Sequence, residues 1–402
     1  MSAKVSSFSR GIIFSAQAEG GTQANEFQAA IKSVTSSTDV GAVFLYDTSQ
    51  DSDGGAWRKK CKGLSWFDEG SGTNRSARSE FPAMSLIVAD NGSTDTLTIY
   101  DLDDPAAPMW MVMTGGGNTL LYDSDNITSI YALNGRVYFG NSVVGLVHLD
   151  FVNDVAAGQR TDTLGYQVGT IANRNTTNAD GHRNGFWKSG LVDNTVNDVA
   201  ATVLEGAEIG ALGLPIPTVA VATDGGVSVI HPSGDVFDIA EDGTANNPDG
   251  ISFDENNNII TAWNTITSGT RYTYAHKIPF ADEGADDSPL IVFGDSSTTT
   301  NVDLHYSNGG ERVQNVVGIS GGHAMGRTAG LTLHKYNQGN PAEGAVAFIT
   351  SAYATGYMVG DIRGAWLTDD AASGRSVNDI NLSTTGTIDD DPVDGAGGGA
   401  EL

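Results

Sequence analysis

The segment IPTVAVATDGGVSVIHPSGDVFDIAEDG, residues 216–243, contains three short apolar runs separated by two tight turns. Asp224, Gly225 and Gly226 form the first turn, because these residue types tolerate the positive φ of a hairpin turn. In the second turn, residues 232–235, proline presets φ and glycine relieves the steric limit. The segment therefore predicts a three-stranded antiparallel meander, which exposes two edges and cannot enclose a core alone.

Comparable groups of short strands recur along the chain. They begin near residues 41, 84, 127, 199, 250 and 313. Three of the spacings are about 40–50 residues, the period of β-propeller blades, and insertions lengthen the other two. We therefore predict an all-β chain that folds as a β-propeller of about six blades, or seven if residues 1–40 and 355–367 form one blade together. A long β-sandwich and a β-helix are the rival architectures, and the uneven hairpin loops disfavour the β-helix.

Local signals refine this outline. Asn134 and Gly135 lie between alternating apolar residues, which is about the strongest hairpin signal that a sequence offers. In the first unit we predict a strand at residues 56–60, which includes Trp57, and a further strand at residues 64–67.

The two ends of the chain differ from its middle. Residues 1–40 predict an N-terminal extension, with a strand at 11–16 and a short helix at 26–34. Residues 41–367 predict the propeller. Residues 368–402 are acidic and rich in glycine, and we predict a mobile tail or linker there because such a composition cannot form a core.

The composition restricts the partners. Lys plus Arg number 21 against 49 Asp plus Glu, and the net charge is -28. Binding to phosphates requires a basic surface, so this balance argues against nucleic acid and against adhesion to anionic membranes. No segment approaches the apolar length of a signal-peptide core or of a membrane span. Cys61 has no second cysteine in the chain with which to form a disulfide.

Several long segments carry a family resemblance. They are GAVFLYDTSQDSDGGAWRKKC (41–61), RVYFGNSVVGLVHLDFVND (136–154), GYMVGDIRGAWLTD (356–369) and the segments at residues 80–113 and 197–230. Over most of residues 5–370 the chain resembles the N-terminal part of tail proteins of marine tailed bacteriophages.

The resemblance implies a function, a location and partners. The chain would be a non-enzymatic virion structural protein of the phage tail, made in the host cytoplasm, that acts in tail assembly, host attachment or both. Its partners would be further copies of itself, other tail proteins and a host surface glycan. In that family a lectin-like sandwich often follows the propeller-like region. Because this chain ends soon after residue 370, we expect the carbohydrate-binding part to be absent or to lie on another chain.

A second resemblance concerns one turn. Residues 47–57, DTSQDSDGGAW, resemble a degenerate Asp-box, the hairpin of sialidase-type propellers. The resemblance implies that an aspartate and a serine cap the turn and that Trp57 packs between blades. It implies a structural role, because the motif is structural even in the enzymes that contain it.

The chemistry that the sequence suggests for metals is limited. Clustered oxygens at Asp51 and Asp53, at Asp90 and Asp95, and at residues 254–258 are weak candidates for Ca²⁺, which takes six to eight oxygen ligands. We predict no other cofactor. Capped β-turns are the structural alternative for all of these clusters.

No residue stands out as catalytic. The seven histidines show no zinc spacing, and the sequence contains neither a nucleophile elbow nor a P-loop. Cys61 follows a basic run, residues 58–60, which would lower the pKa of its thiol. We nevertheless expect an inert thiol in a strand.

Aromatic residues are the candidates for carbohydrate contact. Phe186 and Trp187 lie in the long polar loop of residues 173–190, and Trp66 and Phe67 form a second pair. Long loops of this kind often carry function. The alternatives are therefore a propeller glycosidase or lyase, whose carboxylates would converge at one mouth, and a lectin that binds host surface polysaccharide through this loop.

Overall fold

The computed structural model describes most of the chain between residues 39 and 367. The described residues are 39–92, 94–116, 121, 126–161, 166–176, 189–240, 246–265, 271–283, 290–294, 304–305, 313–319, 321–327, 330–337, 340–350 and 362–367. They divide into two compact units, one within residues 1–221 and 228–236 and the other within residues 222–227 and 237–402. The predicted N-terminal strand and helix and the predicted acidic tail lie outside the described residues.

The first two sheets each follow the chain from strand to strand. Sheet 1 contains β1 (Val40–Asp47), β2 (Met84–Asp90), β3 (Thr96–Asp101) and β4 (Met109–Thr114). Sheet 2 contains β5 (Ile127–Leu133), β6 (Arg136–Asn141), β7 (Gly145–Asp150), β8 (Val155–Gln159) and β9 (Tyr166–Gly169).

The remaining three sheets have the same sequential order. In sheet 4 the last pair, β17 with β18, is parallel, and the other pairs of sheets 4 and 5 are antiparallel. Sheet 3 contains β10 (Val196–Thr202), β11 (Thr218–Thr223), β12 (Gly226–Ile230) and β13 (Val236–Ile239). Sheet 4 contains β14 (Asn246–Phe253), β15 (Ile259–Thr265), β16 (Arg271–His276), β17 (Ile291–Gly294) and β18 (Leu304–His305). Sheet 5 contains β19 (Val313–Ile319), β20 (Gly322–Arg327), β21 (Gly330–Asn337), β22 (Asn340–Thr350) and β23 (Ile362–Leu367).

The chain is therefore all-β and propeller-like, as the sequence predicts. Within the first unit β1 lies against β5, and β5 lies against β10. Within the second unit β14 lies against β19. Consecutive meanders whose first strands lie side by side are the blade arrangement of a β-propeller.

The described residues contain five sheets. Two of the predicted units, those beginning near residues 41 and 84, form a single sheet because β1 pairs with β2 along its whole length. Residues 48–83 are an insertion between these two strands. At the other end β23 pairs with β22 and so belongs to sheet 5.

The insertion contains a helix where the sequence predicts a strand. Residues Trp57–Lys60 form the single-turn helix α1, so the predicted strand at residues 56–60 is wrong. Residues 64–67 form turns, so the second predicted strand is wrong as well. One helical turn buries Trp57 and leaves Lys59 and Lys60 exposed, and four residues are too few to reveal that period in the sequence.

The core of the first unit is aromatic. Trp57, Trp66, Phe81, Trp110 and Phe151 have no exposed surface, and their rings form contacts with centroids 4.8–6.0 Å apart. Three of the five rings come from the insertion. Each buried ring contributes about 2–3 kcal/mol through burial alone, so the insertion is an integral part of this core.

The predicted turns of the opening segment are confirmed. Asp224 and Gly225 connect β11 to β12, and Gly226 has a φ of 132°. No helix among the described residues is long and apolar enough to cross a membrane.

Candidate functional site

The end of β1 carries a buried carboxylate. Asp51 Oδ2 accepts hydrogen bonds from Tyr46 Oη and from Trp57 Nε1, each at 2.7 Å. Asp51 Oδ1 accepts a bond from the backbone N–H of Asn134 at 2.7 Å. Tyr46 Oη in turn accepts a bond from the backbone N–H of Gly135 at 2.9 Å. These five residues, which we call the Asp51 clasp, join the insertion to the β5–β6 turn of sheet 2.

Local sequence explains why the clasp forms here. Asn134 and Gly135 adopt φ values of 52° and 70°, as the predicted hairpin turn requires. A Cβ on Gly135 would lie 2.7 Å from Val152 Cγ2 and 3.1 Å from the Trp57 ring. Only glycine allows the turn to approach Trp57 this closely, so these two turn residues have the structural role that the sequence predicts.

The electrostatic environment of the Asp51 carboxylate indicates a structural role for it. Burial raises the pKa of Asp51 to about 6, and the hydrogen bonds from Tyr46, Trp57 and Asn134 oppose that increase. Burial, followed by the charge of Asp51, raises the pKa of Tyr46 well above its ordinary value. Asp51 is 5% exposed, so a substrate cannot reach its carboxylate for acid–base chemistry. Within residues 47–57 the aspartate that caps the turn is Asp47, whose Oδ1 accepts from Ser49 N at 2.9 Å, while Asp51 binds Trp57, which is buried.

Ser52 contacts the β5–β6 turn, which differs from the turn cap that the resemblance implies for a serine. The backbone N–H of Ser52 donates to Asn134 Oδ1 at 2.9 Å, and Asn134 Nδ2 donates to Ser52 Oγ at 3.0 Å. Asn134 Nδ2 also donates to the carbonyl of Pro215 at 3.0 Å. The amide of Asn134 thus connects three separate segments of the first unit.

The four weak Ca²⁺ candidates lie in two different turns. Asp51 belongs to the clasp, and Asp53 Oδ2 lies 3.2 Å from Lys60 Nζ. Asp90 Oδ1 accepts a bond from Gly92 N at 3.1 Å, and Asp95 is buried. Within the part of the chain that the structure describes, no three His, Cys, Asp or Glu side chains come together as a metal site.

Many acidic side chains with described contacts have the turn-capping role that the sequence predicts as the alternative to metal binding. Six of eight such side chains accept a hydrogen bond from the backbone N–H two residues later and so hold their own turns in place. Asp103 and Asp154 instead accept from the N–H groups of Ala83 and Ile171, in distant segments. The eight residues are Asp47, Asp101, Asp103, Asp104, Asp150, Asp154, Asp193 and Asp254. Part of the strong acidity of the chain is thus explained by turn capping.

Two buried arginines compensate one glutamate in the insertion. Glu69 Oε2 lies 2.7 Å from Arg174 Nη1 and 3.8 Å from Arg75 Nε. The Arg75 guanidinium lies 4.2 Å from the centroid of the Trp110 ring. Burial lowers the pKa of Arg75 to about 10, although Glu69 opposes this decrease. The group stabilises the aromatic core and has no free cationic surface to offer a ligand.

Side chains also cover the outer edge of β4. Arg174 Nε donates to the carbonyl of Val112 at 2.9 Å. Asn175 accepts from the backbone N–H of Thr114 at 2.8 Å and donates to Val112 at 3.0 Å. On the same edge the backbone N–H of Val112 donates to the carbonyl of Asn74 at 3.0 Å. An exposed edge invites pairing with other chains, so this cover protects sheet 1 from aggregation.

Two other groups of candidates have clear outcomes. Burial, together with Asp150 and other acids, raises the pKa of Cys61 to about 12. Burial and the raised pKa agree with the expectation of an inert thiol, but Cys61 lies in a turn after α1 rather than in a strand, and its pKa is not lowered.

Trp66 is fully buried and Phe67 packs against the core, so neither offers a platform for sugars. Phe186 and Trp187 lie outside the described residues.

An exposed hairpin contacts the clasp through Pro215, whose carbonyl accepts from Asn134 Nδ2. Residues 208–216 form a small hairpin, in which Gly210 N donates to Leu214 O and Ile216 N donates to Glu208 O, each at 2.8 Å. Lys60 Nζ lies 3.3 Å from the carbonyl of Leu212 at the tip. Ile209 is 62% exposed. The sequence offers only one hint of this hairpin, the glycines that recur in EGAEIGALG.

No protein-family model matches the chain, and no curated protein matches it. Among solved structures, the computationally designed Ika8 protein is similar at 10% identity, with a TM-score of 0.31, over 70% of this chain and 90% of that one. The WD40 β-propeller domain of Doa1 is similar at 12% identity, with a TM-score of 0.30, over 61% and 72%. At these TM-scores the matches carry no argument, and the propeller-like assignment rests on the strand order.

Proposed function

We propose that this chain is a non-enzymatic structural component of a phage tail, which assembles through protein–protein contacts. The observation that carries the proposal is the use of its carboxylates. Asp51 accepts three hydrogen bonds in a buried clasp, and the exposed turn aspartates accept bonds from the backbone. Carboxylates held in this way lack the accessible, convergent pair that glycoside hydrolysis requires. The placement in a phage tail is supported by the segment resemblance.

The direct test is to look for the chain in purified virions of the phage that encodes it. Mass spectrometry and an antibody against the chain should both detect it in particles banded on a density gradient, in constant ratio to the major tail protein. Particles without the chain would contradict a structural role. A screen of bacterial polysaccharides in the same preparation should show no depolymerisation that depends on this chain, and cleavage lost on its removal would favour the glycosidase or lyase.

A further inference from the structure

Two exposed segments of the first unit, which contact each other through Lys60 and the carbonyl of Leu212 at 3.3 Å, carry charges of opposite sign. Lys59 and Lys62 are exposed, and neither makes a hydrogen bond or ion pair through its side chain with the described residues. Glu208, at the start of the neighbouring hairpin, and Glu205, in the turn before it, are also exposed, and neither side chain is paired with the described residues. Ile209 follows Glu208 and is exposed as well. We call these five residues the mixed-charge face.

The two halves of this face are held next to each other. Lys60, between the two free lysines, contacts the hairpin tip through the carbonyl of Leu212 and is 46% exposed along its side chain. Asn134 holds the base of the hairpin through Pro215 at 3.0 Å. The basic run and the acidic hairpin therefore keep a fixed separation, as a specific docking surface requires.

The composition of the chain makes the basic half unusual. Of 21 Lys and Arg residues in a chain with a net charge of -28, four lie within residues 58–62. Two copies of such a chain repel each other except where a basic patch meets an acidic one. A purely acidic partner would leave Glu205 and Glu208 opposed by like charge, and a purely basic partner would do so for Lys59 and Lys62.

We infer that the mixed-charge face is the docking surface for a second copy of this chain. In a two-fold arrangement each surface patch meets itself in the opposite direction. Lys59 and Lys62 of one copy then pair with the acidic hairpin of the other, and the reverse pairing follows by symmetry. Ile209 supplies the apolar contact at which water is excluded. The inference rests on the proposed assembly role, and it names the partner and the surface for one contact.

Sedimentation velocity of the full chain tests this surface. The wild-type chain should form a dimer in a concentration-dependent manner and dissociate as salt rises from about 0.15 M to about 1 M, because screening weakens charge pairing. Lys59→Glu with Lys62→Glu should weaken dimerisation at least about tenfold, and Ile209→Asp should do the same. Lys277→Glu and Phe280→Asp are the matched controls, because both residues are exposed in the second unit, and these variants should dimerise like the wild type.

A charge exchange identifies the pairing itself. The variant Glu205→Lys with Glu208→Lys should fail to dimerise alone but should form a mixed dimer with the Lys59→Glu, Lys62→Glu variant. A monomeric wild type, or a dimer that both sets of variants leave intact, overturns the inference. A chain that is present in virions but monomeric leaves the proposed function standing. A chain that dimerises through this face but is absent from virions would contradict the proposed function and leave the docking surface supported.

Discussion

The two units hold the first strands of neighbouring sheets together by different means. In the first unit the Asp51 clasp places one buried carboxylate under three donors, and it joins the insertion to the β5–β6 turn. In the second unit Ser252 Oγ accepts from Gly318 N, and Glu255 Oε1 accepts from Gly321 N, each at 2.9 Å. The second arrangement uses two separate bonds, of which the bond to Glu255 is exposed.

The surrounding cores differ in the same way. The aromatic cluster of the first unit draws three of its rings from the insertion at residues 48–83. The described cluster between sheets 4 and 5 consists of aliphatic side chains and one methionine, and a five-residue turn at 254–258 replaces the insertion. The connection between the first two strands of a sheet can thus be long and buried, as in sheet 1, or short and local, as in sheet 4. In the long connection a few residues contribute most of the stabilising free energy. Single substitutions of these residues should therefore lower the free energy of unfolding strongly.

The largest effect should follow Asp51→Ala. The substitution leaves the donors of Tyr46, Trp57 and Asn134 without an acceptor, and each buried unsatisfied donor costs about 1–3 kcal/mol. We expect a loss of about 3–5 kcal/mol in the free energy of unfolding, measured by urea titration with tryptophan fluorescence. Asp51→Asn is the matched control, because it keeps one oxygen acceptor and should cost about half as much. An Asp51→Ala variant as stable as the wild type would show that the clasp does not hold the unit.

The stability of the two units should respond differently to acidification. Burial lowers the pKa of His148 and of His276 to about 4. The unfolded chain therefore binds more protons than the native one between pH 6.5 and about 4, and stability falls by up to about 3 kcal/mol per histidine as pH drops through that window. The contribution of Asp51 to stability has the opposite pH dependence. Because its native pKa is raised to about 6, this contribution grows as pH falls from about 6 towards 3.8. Asp51 offsets His148 in the first unit.

Hydrogen exchange measured at several pH values checks this prediction. Peptides from β16 should lose protection more steeply on acidification than peptides from β7. His276→Gln should flatten the profile of β16, and Asp51→Asn should steepen that of β7 because the offset is removed. Identical pH slopes in the wild type and in His276→Gln would refute the assignment.

Close approach of the backbone should matter in both units. A Cβ on Gly41 would overlap Asn91 Nδ2, which bonds the carbonyl of Ile127, and a Cβ on Gly318 would overlap the carbonyl of Phe253. Gly41→Ala and Gly318→Ala should each cost about 1–3 kcal/mol through overpacking, as judged by thermal unfolding. Gly70→Ala has open space around its Cβ and should leave the melting temperature unchanged. Equal melting temperatures for all three variants would contradict the close approach.

The smallest effect should follow Glu255→Ala. The bond to Gly321 is exposed, and water replaces an exposed acceptor at little cost, so we expect a loss of about 0.5–1 kcal/mol. Glu255→Gln keeps the acceptor and should match the wild type in the same urea titration. A cost close to that of Asp51→Ala would remove the contrast between the two units.

Local chemistry explains what the sequence predicts well. The turns at Asn134-Gly135 and at Asp224–Gly226 need residues that tolerate positive φ, and apolar runs on either side define their strands. The propeller-like order follows because such meanders repeat. The merging of the units near residues 41 and 84 was not visible, since the pairing partner of β1 lies beyond an insertion that itself contains short apolar runs.

The candidate site depends on contacts between distant residues. Asp51 and Asn134 are 83 positions apart, and the local sequence around either residue does not indicate that the two are in contact. The acidic clusters read equally well as cation ligands and as turn caps, and only the position of the backbone N–H groups separates the two. The exposed hairpin at residues 208–216 is too short to show alternation, so Ile209 gives no signal of its own.

The cover of β4 has a consequence for synthesis. β4 ends at Thr114, but Arg174 and Asn175, which cover its edge, are translated only after all of sheet 2. Asn74 and Ser76 pair with part of this edge as soon as β4 is made. At ribosomal rates of about 5–20 residues per second, the carbonyl of Val112 and the N–H of Thr114 stay uncovered for several seconds longer on the nascent chain. Folding of the first sheet is thereby coupled to completion of the second, and slowed translation across residues 115–175 should increase aggregation of the nascent chain more than slowed translation elsewhere.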